Sequence, residues 1–173
     1  MRLFLIGFMA SGKSTIGPMV AERLELDFAD LDDLIEADAG QSIPALFASE
    51  GETGFRAREA AALRQVGDRD DIVVALGGGT VMDPANRVFA RTFGRVVYLK
   101  VSSATVLDRV ADDADHRPLL QDDHGQPLPR DAMAERIQTM LRDREDAYRD
   151  AHVTVDADAS PAVVADRVVE AVS

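Results

Sequence analysis

Two apolar patterns alternate along the chain. Residues 2–8, "RLFLIGF", form a continuous apolar run, and in "KSTIGPMVAERL", 13–24, Ile16, Met19, Val20 and Leu24 recur at helical spacing. The short "DFAD", 27–30, predicts a second strand, and "LDDLIEADAG", 31–40, and "SIPALFASEGE", 42–52, predict two helical pieces parted by a Gly-Gln-Ser break. Ser42 is a candidate N-cap with Pro44 in the first turn. "GFRAREAAALRQVG", 54–67, reads as an alanine-rich helix stopped by Gly67, before the buried strand and glycine turn of "DIVVALGGGT", 71–80. A helix from Pro84, the strand "GRVVYLKV" at 94–101 and a helix over 103–113 capped by Ser103 follow. Residues 113–131 are polar and rich in Pro and Gly, which predicts a loop or lid. The chain closes with a long helix over 131–151, the strand "HVTVDAD" at 152–158, and a helix with Ser160 as N-cap and Pro161 in first position.

Strands alternating with helices, several of them Val, Leu and Ile runs without polar alternation, predict a parallel sheet covered on both faces. The expectation is an α/β fold with five strands.

Composition narrows the function classes. A length of 173 residues favours a single domain, 1–173, without internal repeats. No apolar run is long enough to span a bilayer, and the opening strand lacks the flanks of a signal peptide. A cytoplasmic protein with no membrane partner is expected. The absence of cysteine excludes disulfides and thiolate zinc sites, and His116, His124 and His152 are spaced wrongly for a metal cluster. His116, beside Arg117, is expected to be solvated. A net charge of −12 argues against nucleic acid as a partner. Asp heavily outnumbers Glu, and Lys13 and Lys100 are the only lysines. Such a surface suits a high-salt cytoplasm, where screening weakens self-repulsion; plain acidic bias explains it equally well.

The chemistry starts at "GFMASGKST", 7–15, which fits G-x-x-x-x-G-K-[ST]. Gly7 and Gly12 let the chain wrap so that backbone N–H groups face phosphates. Lys13 can reach the β and γ phosphates, and Ser14 can place its hydroxyl on Mg²⁺. The motif follows a buried strand and opens a helix, the context it requires. A nucleoside triphosphate is therefore expected, with the phosphoryl acceptor still open.

"LDFADLDDLIE" then sets Asp27, Asp30, Asp32 and Asp33 where strand turns to helix. They can be an N-cap and an acidic first turn. Ligands of parallel sheets also bind beyond the carboxyl ends of strands, where a carboxylate can hold Mg²⁺ or a substrate hydroxyl. Arg56 and Arg58, two apart at a helix start, point different ways; either suits a carboxylate clamp or a surface ion pair. Gly77, Gly78 and Gly79 allow close backbone approach to a ligand or simply a tight turn. Arg117 lies inside the presumed lid.

The P-loop, "FADLD", "SIPALFASEGETGFRARE", "LGGGT", "RVVYL", "RPLL" and "YRDAH", in this order across almost the whole chain, resemble the shikimate kinase family. The resemblance implies a P-loop NTPase sandwich with strand order 2-3-1-4-5 and a lid over 112–130. It implies ATP binding by Ala10, Ser11, Gly12, Lys13, Ser14 and Thr15, with Arg117 on the phosphates and Arg109 and Pro161 flanking adenine. It implies Mg²⁺ at Ser14 and Asp30. Shikimate would be held by Asp32 on its hydroxyls, by Gly77 to Gly79, chiefly Gly78, and by Arg56 and Arg149 on its carboxylate. Lys13, Asp32 and Arg117 would carry catalysis. Ala10 stands where many members have glycine, and "QDDHGQPLPRD" is longer and more acidic than in some. A monomer is expected. The rivals are another small-molecule kinase, acting on gluconate or a nucleoside monophosphate, and a non-catalytic nucleotide switch.

Overall fold

The computed structural model describes residues 1–111, 114 and 117–173. Five parallel strands lie in the order β2-β3-β1-β4-β5, as the resemblance implies. They are β1 (Arg2–Ile6), β2 (Asp27–Asp30), β3 (Ile72–Ala75), β4 (Arg95–Lys100) and β5 (Val153–Asp156). The helices are α1 (Lys13–Leu24), α2 (Leu31–Ala39), α3 (Ile43–Gly67), α4 (Pro84–Phe93), α5 (Ser103–Val110), α6 (Arg130–Arg149) and α7 (Pro161–Val172). Every residue of β3 and all but the first of β1 are buried, because helices cover both faces.

The register explains where chemistry gathers. Ala75 pairs with Leu5 on one side and with Asp30 on the other. The carboxyl ends of β1, β2 and β3 therefore finish level, so the P-loop, the acidic turn and the glycine triplet leave the sheet at one edge. Tyr98 of β4 pairs with Ile6 at the same height.

The two helical pieces expected at 42–52 and 54–67 are present as the two halves of α3, separated by non-helical backbone at Gly51, whose φ of 69° and ψ of −176° suit glycine. Two local expectations are corrected. Ser102, not Ser103, caps α5, accepting from the Thr105 N–H at 3.2 Å. That helix ends at Val110 and not at 113. Asp112, Asp113 and His116, in the first part of the expected lid, fall outside the described residues, as does Asp115.

Gly17 of α1 faces the Phe28 ring, and a Cβ there would lie 2.2 Å from its Cε2. Phe28 stands two residues before Asp30 and so on the same face of β2. Gly17→Ala is expected to cost about 1–3 kcal/mol through overpacking, read as a lower urea midpoint. An unchanged midpoint would mean that the ring swings aside freely.

Candidate active site

Met9 and Ala10, then Gly12 to Thr15, line a cavity of about 480 Å³ together with Asp30, Asp32, Arg56, Leu76 to Gly79, Arg117, Leu119 and Arg144. A smaller cavity of about 280 Å³ adjoins it, sharing Ala10, Gly12 and Thr15 and adding Arg109 and Pro161.

The P-loop forms one wall. Gly12 takes φ 94° and caps α1, whose first-turn residues Lys13, Ser14 and Thr15 line the cavity. Ala10 has φ 56°, a left-handed conformation that costs a residue with a Cβ about 1–2 kcal/mol. That is why glycine is at home there. Ser11 is fully buried beneath the loop and accepts from Lys13 Nζ at 3.3 Å. Lys13 Nζ also donates to the Gly7 and Phe8 carbonyls at 2.9 and 3.0 Å. Desolvation lowers its pKa to about 8, although Asp32 and Asp30 pull the other way. Arg109 donates to the Ala10 and Ala157 carbonyls, joining the P-loop to the chain before α7.

The acidic turn serves both readings at once. Asp30 caps α2, accepting the Asp32 N–H on Oδ1 at 3.1 Å, while its Oδ2 accepts from Ser14 Oγ at 2.6 Å. Asp27 is exposed and pairs with Arg69. Asp32 faces the cavity, and its pKa rises to about 6 because it is desolvated and sits near Asp30 and Glu59. No group of three or more His, Cys, Asp or Glu could hold a metal among the described residues. A donor set of one hydroxyl and one or two carboxylates fits Mg²⁺ arriving with phosphate, since that ion keeps waters and phosphate oxygens as ligands.

The glycine triplet fits between these groups for separate reasons. A Cβ on Gly77 would sit 3.0–3.1 Å from Asp32 Oδ1, Glu59 Oε1 and Thr80 Oγ1. A Cβ on Gly79 would meet the Arg56 guanidinium at 2.8 Å. Among the described residues none of the three amides donates to another backbone group, which leaves donors beside the cavity. Glu59 is buried and accepts from Arg56 Nη1 and Thr80 Oγ1, each at 2.7 Å. It holds the arginine by a charge-assisted bond while satisfying its own carboxylate. Arg58 points away, to Glu50 and Asp38.

Arg149 is not brought into this site. Its side chain is 63 % exposed and pairs with Glu145 one turn back at 2.8 Å. Arg144 lines the cavity instead, 5.6 Å above the Phe8 ring, with Nη1 donating to the Gly78 carbonyl at 3.4 Å. Glu59, Thr80, Arg144 and Tyr148 were not expected from sequence. For Arg144 a signal exists: Met133, Ile137, Leu141, Arg144 and Tyr148 follow at intervals of three and four, one face of α6. Arg149 is off that stripe.

The shikimate kinase family model matches residues 9–173 of this chain. The shikimate kinase of Salinibacter ruber is 54% identical over 173 residues, all of this chain and 85% of that protein. Shikimate kinase from Acinetobacter baumannii, solved in complex with shikimate, superposes with a TM-score of 0.87 at 34% identity, covering 99% of this chain and 92% of that one. The Bacteroides thetaiotaomicron enzyme gives a TM-score of 0.90 at 29% identity, covering 99% and 98%.

The chain belongs to the shikimate kinase family.

It is an enzyme of that class, with the P-loop of an ATP-dependent kinase and the family's five-stranded sheet. Within that shikimate kinase frame the two cavities divide naturally. The one bearing Arg109 and Pro161 extends the P-loop away from the acidic turn. The larger one joins the P-loop to Asp32, Arg56 and Arg144.

Proposed function

We propose that the larger cavity holds the ATP phosphates against shikimate, and that the enzyme transfers the γ-phosphoryl group to the shikimate 3-hydroxyl. The observation that carries this reading is one cavity in which a P-loop faces a desolvated carboxylate flanked by Arg56 and Arg144. A polyol with one carboxylate needs that combination: an acceptor for its hydroxyls and guanidinium forks for its anion. The glycine amides add donors along the same wall.

The backbone of residues 10–15 wraps the phosphates, and Lys13 turns from the loop carbonyls to their oxygens. Adenine lies between Arg109 and Pro161. Ser14 and Asp30 would hold Mg²⁺, which would neutralise phosphate charge. Asp32 orients the 3-hydroxyl and takes its proton as the phosphorus–oxygen bond forms. Early deprotonation is not required, because phosphoryl transfer passes through a loose transition state. Arg117 approaches the phosphates from the 112–130 lid, whose closure excludes water. Local cations must overcome a chain of net charge −12 for two anionic substrates, so capture depends on the pocket and not on long-range steering. The enzyme works as a monomer in the cytoplasm.

A coupled assay of ADP release, run separately with shikimate, gluconate and AMP, tests the assignment. Turnover is expected with shikimate alone. Turnover with gluconate or AMP in its place would transfer the assignment to another small-molecule kinase, and none with any acceptor would favour a nucleotide switch.

A further inference from the structure

The glycine turn is held by a phenol that belongs to none of the expected site residues. Tyr148 is fully buried, and its Oη donates to the Gly78 carbonyl at 2.7 Å. The neighbouring carbonyls serve the turn itself: Gly77 accepts from the Thr80 N–H at 3.1 Å and Gly79 from the Met82 N–H at 3.0 Å. Among the described residues no backbone N–H reaches the Gly78 carbonyl. Its partners are side chains of α6, Tyr148 and, more distantly, Arg144.

Peptide planarity gives this bond its consequence. The Gly78 carbonyl and the Gly79 N–H share one rigid plane and point opposite ways. Pinning the oxygen therefore aims the Gly79 amide. The preceding plane, which holds the Gly78 N–H, is pinned through Gly77 and Thr80. Glycine imposes little conformational preference of its own, so these planes depend on external bonds for their orientation. Tyr148 is itself fixed: its ring stacks on Tyr98 with centroids 5.0 Å apart and planes inclined by 20°. Tyr98 stands on β4, in register with the last residue of β1. Desolvation raises the Tyr148 pKa, so the phenol keeps its proton as a donor.

We propose that Tyr148 is a positioning residue for the acceptor side of the reaction, its hydroxyl setting the Gly78–Gly79 peptide so that the amides of the triplet meet shikimate. It touches no substrate. The role rests on the reading of this cavity as the shikimate site.

The test uses Tyr148→Phe in the full chain, with Tyr98→Phe as control. Both keep the ring stack, and the Tyr98 hydroxyl makes no hydrogen bond among the described residues. Tyr148→Phe is expected to raise the KM for shikimate roughly 3- to 10-fold, the range of one net hydrogen bond, with kcat and the KM for ATP held within about twofold. Tyr98→Phe is expected to change none of these. An unchanged shikimate KM in folded Tyr148→Phe overturns the proposal. So does an equal rise in both KM values, which marks general loosening. Arg56→Ala separates the two levels. If it raises the shikimate KM and Tyr148→Phe does not, only the positioning role falls. If it leaves that KM unchanged, the substrate reading of the cavity falls and the positioning role with it.

Discussion

Asp32→Asn is expected to cut turnover by about 10³-fold, to leave nucleotide affinity within about twofold, and to make the unliganded protein more stable at neutral pH. The first effect follows from the loss of an acceptor for the 3-hydroxyl proton. The second follows because the P-loop contacts do not pass through Asp32. The third is a linkage effect. In the folded chain the Asp32 pKa is raised from 3.8 to about 6, by desolvation first and then by Asp30 and Glu59. The folded state therefore binds this proton more tightly than the unfolded state. The favourable contribution is full below the unfolded value near 4 and is lost as pH rises through about 6. At pH 7 the ionised carboxylate opposes folding, and asparagine removes that opposition. Two pKa units would amount to about 3 kcal/mol, and solvent screening of a part-exposed group reduces this to about 1–2 kcal/mol. The melting temperature should rise by roughly 3–6 °C at pH 7, with the advantage shrinking toward pH 4. Calorimetry across that range and single-turnover kinetics measure both halves. A destabilised Asp32→Asn at pH 7 would show that Asp32 is held by bonds its carboxylate needs. Loss of ATP binding would move Asp32 out of the acceptor site.

The parts of this molecule legible in its sequence are those encoded locally. Strands covered on two faces print apolar runs, and β1, β3 and β4 are such runs, while the edge strands β2 and β5 are short mixed stretches flanked by helical patterns. The P-loop is a spacing rule within nine residues, so its role could be expected without knowing what lies opposite. Asp30 illustrates the limit. Sequence left it as either helix cap or site carboxylate, and its two oxygens do both, one on the Asp32 N–H and the other on the Ser14 hydroxyl. No local pattern chooses between functions that one side chain combines. Glu59 and Thr80 are harder, because their bond spans 21 residues and means something only once Arg56 is seen on the same carboxylate. The break inside α3 is legible too: Gly51 leaves the helical region with φ 69° and ψ −176°, within two residues of where the two helical pieces are parted along the chain.

Arg144→Ala is expected to raise the KM for shikimate by about 10- to 100-fold, while Arg149→Ala should stay within about twofold of the parent enzyme. The two residues lie on the same helix five positions apart, and helical phase separates them. Arg144 shares the stripe that carries Tyr148 into the core; its guanidinium lies over the Phe8 ring and lines the cavity. Arg149 begins the next step round the helix and spends its charge on Glu145 in solvent. A charge-assisted bond to a carboxylate in a part-desolvated pocket is worth about 1.5–3 kcal/mol, whereas an exposed i,i+4 pair is worth a few tenths. Arg144→Lys should recover part of the loss, because lysine restores the charge without the planar fork. Steady-state kinetics with each substrate varied in turn decides the matter. A large shikimate effect at Arg149→Ala, with Arg144→Ala near the parent, would mean that α6 turns about its axis when substrate binds. An Arg144→Ala effect on ATP alone would place that arginine on the phosphates, beside Arg117.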